Sequence, residues 1–434
     1  MAGVPVTVID LGEVGHHDEP TPPPAGRPRA RRSAGHPVFV ALTVLLLLLT
    51  MAGADPGPPR LIPVPLPDMP EPSHLIVGDL LVLAYPSALS PAGSRQLTAI
   101  DLTDGRVRWE TSLSPRHQLV VLEGVDDDVV VTTDPGGEPV SMVLDHVDGR
   151  TRWRRPGTAV VTGDGGLLLE DLHVDRVAVR GVDPATGAVR WTATAGPATV
   201  GYRTGPRGIE DLVLVTSAGQ AEVYDVGTGA RRSTFPVPPA RGDHHHLAQP
   251  VGGLLLVSED PGRVAAYDLG SGRRRWDTTD PVPGGGSAYA CGDAVCLGGS
   301  STARVLDPVT GRERWSSDRW APVEAVGNRM LGVSFGDGPQ RLALLDSVTG
   351  RLEAELGEWR TVYQRPFTAP ILAFRPAAGG RQLLAELDPT DGTARVRDVL
   401  SGRWDVCWHS QGVLVCWRQS NSLGVWRMPA DRAG

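Results

Sequence analysis

The stretch VAAYDLGSGRRRWDT, residues 264–278, sets an aspartate at 268, a glycine at 272 and a tryptophan at 276. Apolar residues alternate into the aspartate and resume after the glycine, the period-two pattern of two half-buried strands. An aspartate side chain accepts hydrogen bonds from amides two residues on, and glycine enters the left-handed conformation without steric cost. Asp268 to Gly272 therefore reads as a hairpin turn.

The same spacing recurs eight times: Asp101 and Gly105, Asp145 and Gly149, Asp183 and Gly187, Asp225 and Gly229, Asp268 and Gly272, Asp307 and Gly311, Asp346 and Gly350, Asp388 and Gly392. Successive aspartates lie 38 to 44 residues apart. Four residues past the glycine stand Trp109, Trp153, Trp191, Trp276 and Trp315, and in the other three repeats Ser233, Ala354 and Val396. Each period also holds two earlier strands, such as AVVTG and GLLLED in the third, making about four antiparallel strands. Such a sheet cannot bury both faces alone, and an even period near 40 stacks the sheets radially, as a closed all-β propeller. The tryptophans are then structural: each ring packs across to the next blade and its N–H meets a backbone carbonyl.

The three-stretch match AIDLTDGRVRW, GVDPATGAVRW and AAYDLGSGRRRW resembles the tryptophan-docking motif of the quinoprotein-like (PQQ-like) β-propellers. It spans residues from about 74 to 428, and arginine-rich single-pass members from actinobacteria look most similar. The resemblance implies the fold and no single activity, since that superfamily holds PQQ-dependent alcohol dehydrogenases and also non-catalytic members, such as the propeller subunit of the outer-membrane β-barrel assembly machine. After the last motif, WDVCWHSQGVLVCWRQSNSLGVWRM reads as three further strands. A strand near RLIPVPL joined to them would make nine blades. A degenerate end unit would make eight, the family's usual number, and eight blades closed by pairing of the two chain ends is the expectation.

Composition agrees with many short strands: 53 glycines and 39 prolines against 5% aromatics, with 41% hydrophobic residues to fill a core. All 42 basic residues are arginine, which reads as coding bias. The net charge of −8 speaks against a nucleic-acid binder. Residues 38–54, VFVALTVLLLLLTMAGA, carry no charge and follow Arg27, Arg29, Arg31 and Arg32. Seventeen helical residues span about 25 Å, near the lower limit for a bilayer, and the arginines belong on the cytoplasmic side. The alternative is a signal peptide cut after Ala54; the long leader favours the anchor. The expected organisation is a disordered cytoplasmic tail over 1–36, a transmembrane helix over 37–54, a proline-rich spacer over 55–73 and an extracytoplasmic propeller over 74–428.

Chemistry is less legible. By resemblance, an enzymatic quinoprotein would show adjacent cysteines beside the quinone, with Glu, Asn and Asp for calcium. This chain has no adjacent cysteines. Cys291 and Cys296 straddle one turn and Cys407 and Cys416 another, within reach across antiparallel neighbours, so two local hairpin disulfides are expected on an oxidising side. His244, His245 and His246 read as loop histidines rather than a metal site, the RGD at 241–243 is too short to support adhesion, and Asp126, Asp127 and Asp128 read as a solvated turn rather than a calcium site. No catalytic, cofactor or metal residue is assigned. The expected function is a membrane-anchored extracytoplasmic scaffold that binds a protein, peptide or small ligand, without nucleic acid. The rivals are a PQQ- or other cofactor-dependent oxidoreductase and an envelope sensor signalling through the single helix. Carboxylates with shifted pKa at the channel mouth would favour the enzyme, and a channel of Gly, Val and Ala would disfavour it.

Overall fold

Continuous apolar runs such as LLVLA (80–84) and LALL (342–345) bury both faces of the middle strands, so each sheet must be covered on both sides. The computed structural model describes residues 62–63, 73–86, 95–113, 118–239, 248–260, 263–278, 287–298, 302–334, 340–363, 370–418 and 422–428. They form nine four-stranded antiparallel sheets. Eight are continuous in sequence, at 73–113, 118–156, 158–195, 198–236, 248–277, 287–317, 320–358 and 360–400. Their strands pair in chain order, and the first strands of neighbouring sheets touch, which places them at the centre of the ring.

The ring has nine blades, where eight were expected. The ninth takes its three inner strands, Val406–Ser410, Val413–Arg418 and Ser422–Arg427, from the C-terminal end. Its outer strand is Ile62–Pro63, paired as Ile62 with Arg427 and Pro63 with Trp426. Two residues of the segment read as spacer thus belong to the ring. The miscount has a physical reason: the chain is cut where the ninth hairpin would be, so that blade needs no turn between its third and fourth strands and carries no Asp–Gly motif.

The core is distributed as nine apolar clusters, one between each pair of neighbouring blades. The cluster of Ile76, Leu81, Leu83 and Ile100 with Val413, Val415 and Val425 joins the first blade to the ninth and closes the ring. The propeller lies in the compact unit formed by residues 58–434. The tail, the apolar segment, His244 to His246 and the RGD lie outside the described residues. Among the described residues no helix is long and apolar enough to cross a membrane.

Candidate functional site

All eight motif turns share one geometry. The glycine amide donates to the aspartate carbonyl at 2.8–2.9 Å, and each glycine has φ between +67° and +72°. The aspartate Oδ1 accepts from amides two or three residues on, for example Thr103 N at 2.7 Å and Ser271 N at 2.8 Å, in six of the eight turns together with a hydroxyl or a second amide. These contacts hold Asp101 down to about 2, first through the Thr103 hydroxyl, and Asp268 to about 2, first through Arg275.

The tryptophans staple blades. Trp109, Trp153, Trp191, Trp276 and Trp315 each donate Nε1–H to the carbonyl after the next blade's aspartate, at 2.6–3.2 Å. The rings lie against Gly149, Gly187, Gly229, Gly311 and Gly350, where a β-carbon would come within 2.4–2.7 Å of the indole. Where Ser233 replaces tryptophan, its hydroxyl donates to the Leu269 carbonyl at 2.8 Å, and Phe235 covers Gly272. Val396 faces the ninth blade, which has no motif glycine to clamp, and it is 38% exposed.

Sequence reasoning missed the arginine three residues past the motif glycine. In the first seven blades the last strand skips one residue there, a β-bulge between the turn and the staple. The bulge turns Arg108, Arg152, Arg190, Arg232, Arg275 and Arg314 back onto their own aspartates. In the seventh blade Glu353 takes the bulge and pairs with Arg329 at 2.5 Å. The signal was visible as GRVRW, GRTRW, GAVRW, GARRS, GRRRW and GRERW.

The motif turns and the first turns of the blades share one face, as Leu102 N to Asp79 O at 2.8 Å records. The opposite face, where each blade leads into the next, carries a cavity of about 670 Å³ between blades seven, eight and nine. Trp359 and Trp404 line it from two consecutive blade connections, buried to 2% and 4% exposure. Arg375 stacks on Trp359 at 4.4 Å and Arg418 on Trp404 at 3.9 Å. Gln382, buried, clasps the Trp404 backbone with both amide atoms at 2.8 Å. Arg360, Arg403, Glu358, Asp405 and Tyr363 complete the polar rim. Tyr363 joins the innermost strands of blades eight and nine: its N–H donates to Cys407 O, its carbonyl accepts from His409 N, and its ring stacks on Trp408. Trp408 in turn meets His74 of the first blade edge-on at 4.6 Å, and burial lowers His74 to about 4. All six tryptophans outside the repeat motif fall after residue 319, in these last three blades, and that clustering was the available signal.

Both expected disulfides are formed, Cys291 to Cys296 and Cys407 to Cys416, with Cα separations of 5.8 and 4.0 Å. The innermost strands are rich in small apolar residues, as in TAVV (158–161) and SAYAC (287–291). Burial raises Glu123 on one of them and Glu170 on the second strand of the third blade, and the Tyr202 hydroxyl donates to Glu170. Asp128, from the acidic turn, comes within 4.8 Å of Asp145 and His146 ligand atoms, and Arg152 bridges the two carboxylates at 3.2 and 2.8 Å.

The ring, its repeat and its staples define a PQQ-like β-propeller. Residues 93–246 and 179–429 match the family model described as outer membrane protein assembly factor BamB, and the chain belongs to that family. Similar solved structures include BamB from Moraxella catarrhalis, 18% identical with TM-score 0.40 over 60% of this chain and 79% of that one. The computationally designed Ika8 protein is 14% identical with TM-score 0.44, over 72% and 97%. The dihydro-heme d1 dehydrogenase NirN, in complex with DHE, is 13% identical with TM-score 0.42, over 66% of each chain. No curated protein matches the chain by sequence.

Proposed function

We propose that this chain is a non-catalytic binding propeller, anchored to the membrane by residues 37–54 with its ring on the extracytoplasmic side, and that a protein partner seats in the cavity between blades seven and nine. The observation that carries the reading is the lining of that cavity. An exposed tyrosine, exposed guanidiniums and rigidly held tryptophans are the residue types that dominate protein recognition. The Trp404 backbone is clasped by Gln382 and Trp359 is buried, so the walls are ordered before any partner arrives.

The residues present do not fit a quinone with calcium. All four cysteines are committed to bridges in two separate hairpins, and among the described residues the carboxylates that come closest to an ion's ligand set already hold Arg152. Titrating the full-length chain with PQQ and calcium is expected to leave its melting temperature unchanged; a saturable rise of the size mass action requires would restore the oxidoreductase.

The binding reading is tested with a photo-crosslinking amino acid at position 363, and at position 106 on the opposite face, in intact cells. One discrete adduct from 363 and none from 106 is expected. Equal adducts, or none from 363, would overturn it. A C-terminal epitope reached by antibody outside wall-stripped cells tests the orientation, and an epitope reached only after lysis would reverse it.

A further inference from the structure

We infer that the cavity between blades seven and nine takes an extended acidic peptide segment, which rests on the binding reading above and names its ligand class. Arg360 and Arg403 line the cavity from two consecutive blade connections, and both side chains are exposed. Among the described residues neither is paired with a carboxylate; Arg360 donates only to the Asp405 carbonyl, at 3.1 Å. Arg375 and Arg418 stand over the lining tryptophans, again without a carboxylate partner among the described residues, and the Arg418 Nε is buried with no acceptor. Two lining guanidiniums without a carboxylate partner among the described residues, Arg360 and Arg403, thus share the cavity with Glu358 and Asp405, of which Asp405 is already engaged.

The same residue type is treated differently on the other face. There Arg108, Arg152, Arg190 and Arg275 each have an aspartate within 2.8 Å. An exposed guanidinium with no carboxylate partner, as at Arg360 and Arg403, offers a planar fork to an incoming carboxylate.

An extended chain fits better than a single small anion. The cavity of about 670 Å³ opens at Tyr363, which is 60% exposed. From there aromatic surface continues through Trp408 to His74, along the innermost strands of blades nine and one. Acidic side chains meet the arginines while the apolar part of the segment lies on Tyr363.

The test uses the full-length chain in neutral detergent with fluorescein-labelled hexaglutamate, and hexalysine as its opposite, followed by anisotropy at low salt. Saturable binding of hexaglutamate alone is expected. The pair Arg360→Gln and Arg403→Gln weakens it by at least about tenfold, as loss of charge-assisted contacts requires, with the melting temperature unchanged. The pair Arg106→Gln and Arg150→Gln, on the motif face, leaves it intact. Failure to saturate, equal binding of hexalysine, or an equal loss from the motif-face pair would overturn the inference. An adduct from position 363 with hexaglutamate inert would remove the acidic class and leave the binding reading standing.

Discussion

Trp109 and Gly149 belong to neighbouring blades, and the indole of the first fills the space that a β-carbon on the second would need, 2.6 Å from its Cδ2 and Cε3 atoms. The glycine is required twice, by its φ of +69° and by this contact. Gly149→Ala is expected to cost about 2–5 kcal/mol, the sum of left-handed strain and overpacking. Gly392 has φ +72°, but a β-carbon there meets Ala354 at 3.4 Å and Leu356 at 3.7 Å, both ordinary contacts. Its alanine variant should lose only the strain, about 1–2 kcal/mol. Denaturant midpoints separate the two, and equal losses would show that the ring contact contributes nothing.

Phe235 should behave as a tryptophan staple even though it sits two residues from the motif position. Phe235→Ala is expected to cost about 3–5 kcal/mol. Ser233→Ala, which loses one hydrogen bond to a carbonyl, should cost about 1 kcal/mol. Thermal unfolding of both variants checks the ranking; the reverse order would assign the clamp to the serine.

Acid should weaken the ring from its motif face. The folded-state values of Asp101 and Asp268 are depressed to about 2, below the ordinary value of about 3.9. Their stabilisation is therefore complete above pH about 4 and is lost as pH falls toward 2. Asp145, Asp183, Asp225, Asp307 and Asp346 shift in the same direction. Melting temperature should be level near neutrality and fall steeply between pH 4 and 2. Thr103→Val and Ser271→Ala should flatten that fall, and an unchanged slope would count against the turns as its source.

The disulfides close short loops, with 5 and 9 residues of separation, and their sulfurs belong to buried residues at 1% exposure or less. Replacing Cys407 and Cys416 together by valine should cost about 2–3 kcal/mol by loop-closure entropy. Under native conditions with dithiothreitol, alkylation followed by mass spectrometry should find no labelled cysteine; labelling without unfolding would mean that the ninth blade opens locally.

The repeat was legible because each Asp–Gly–Trp unit states its local geometry in residues that have few substitutes. Gly149 cannot be larger, and Trp109 must reach a carbonyl 37 residues on. The bulge arginines were equally regular in sequence, but their role depends on a register slip of one residue that alternation alone does not reveal. Three strands of the ninth blade and a candidate fourth near RLIPVPL were legible, but its hairpin is split between Ile62 and Arg427, and without an Asp–Gly turn to count it the ring was assigned eight blades. The cavity escaped for a related reason: Trp359, Tyr363, Arg403 and Trp404 come from different blade connections and share no period.

Pairing Ile62 with Arg427 also sets a clock on biogenesis. The strand Ile62–Pro63 cannot pair until residue 427 has been synthesised. Until then, eight blades stand as an open arc with an apolar flank at each end, Ile76 and Leu83 on one and Leu384 and Leu400 on the other. Contacts this distant in sequence form slowly, and exposed flanks invite association with other chains. The interval between the arrival of Leu400 and that of Arg427 is thus the most vulnerable moment in the life of the molecule, and the one at which a chaperone has most to protect.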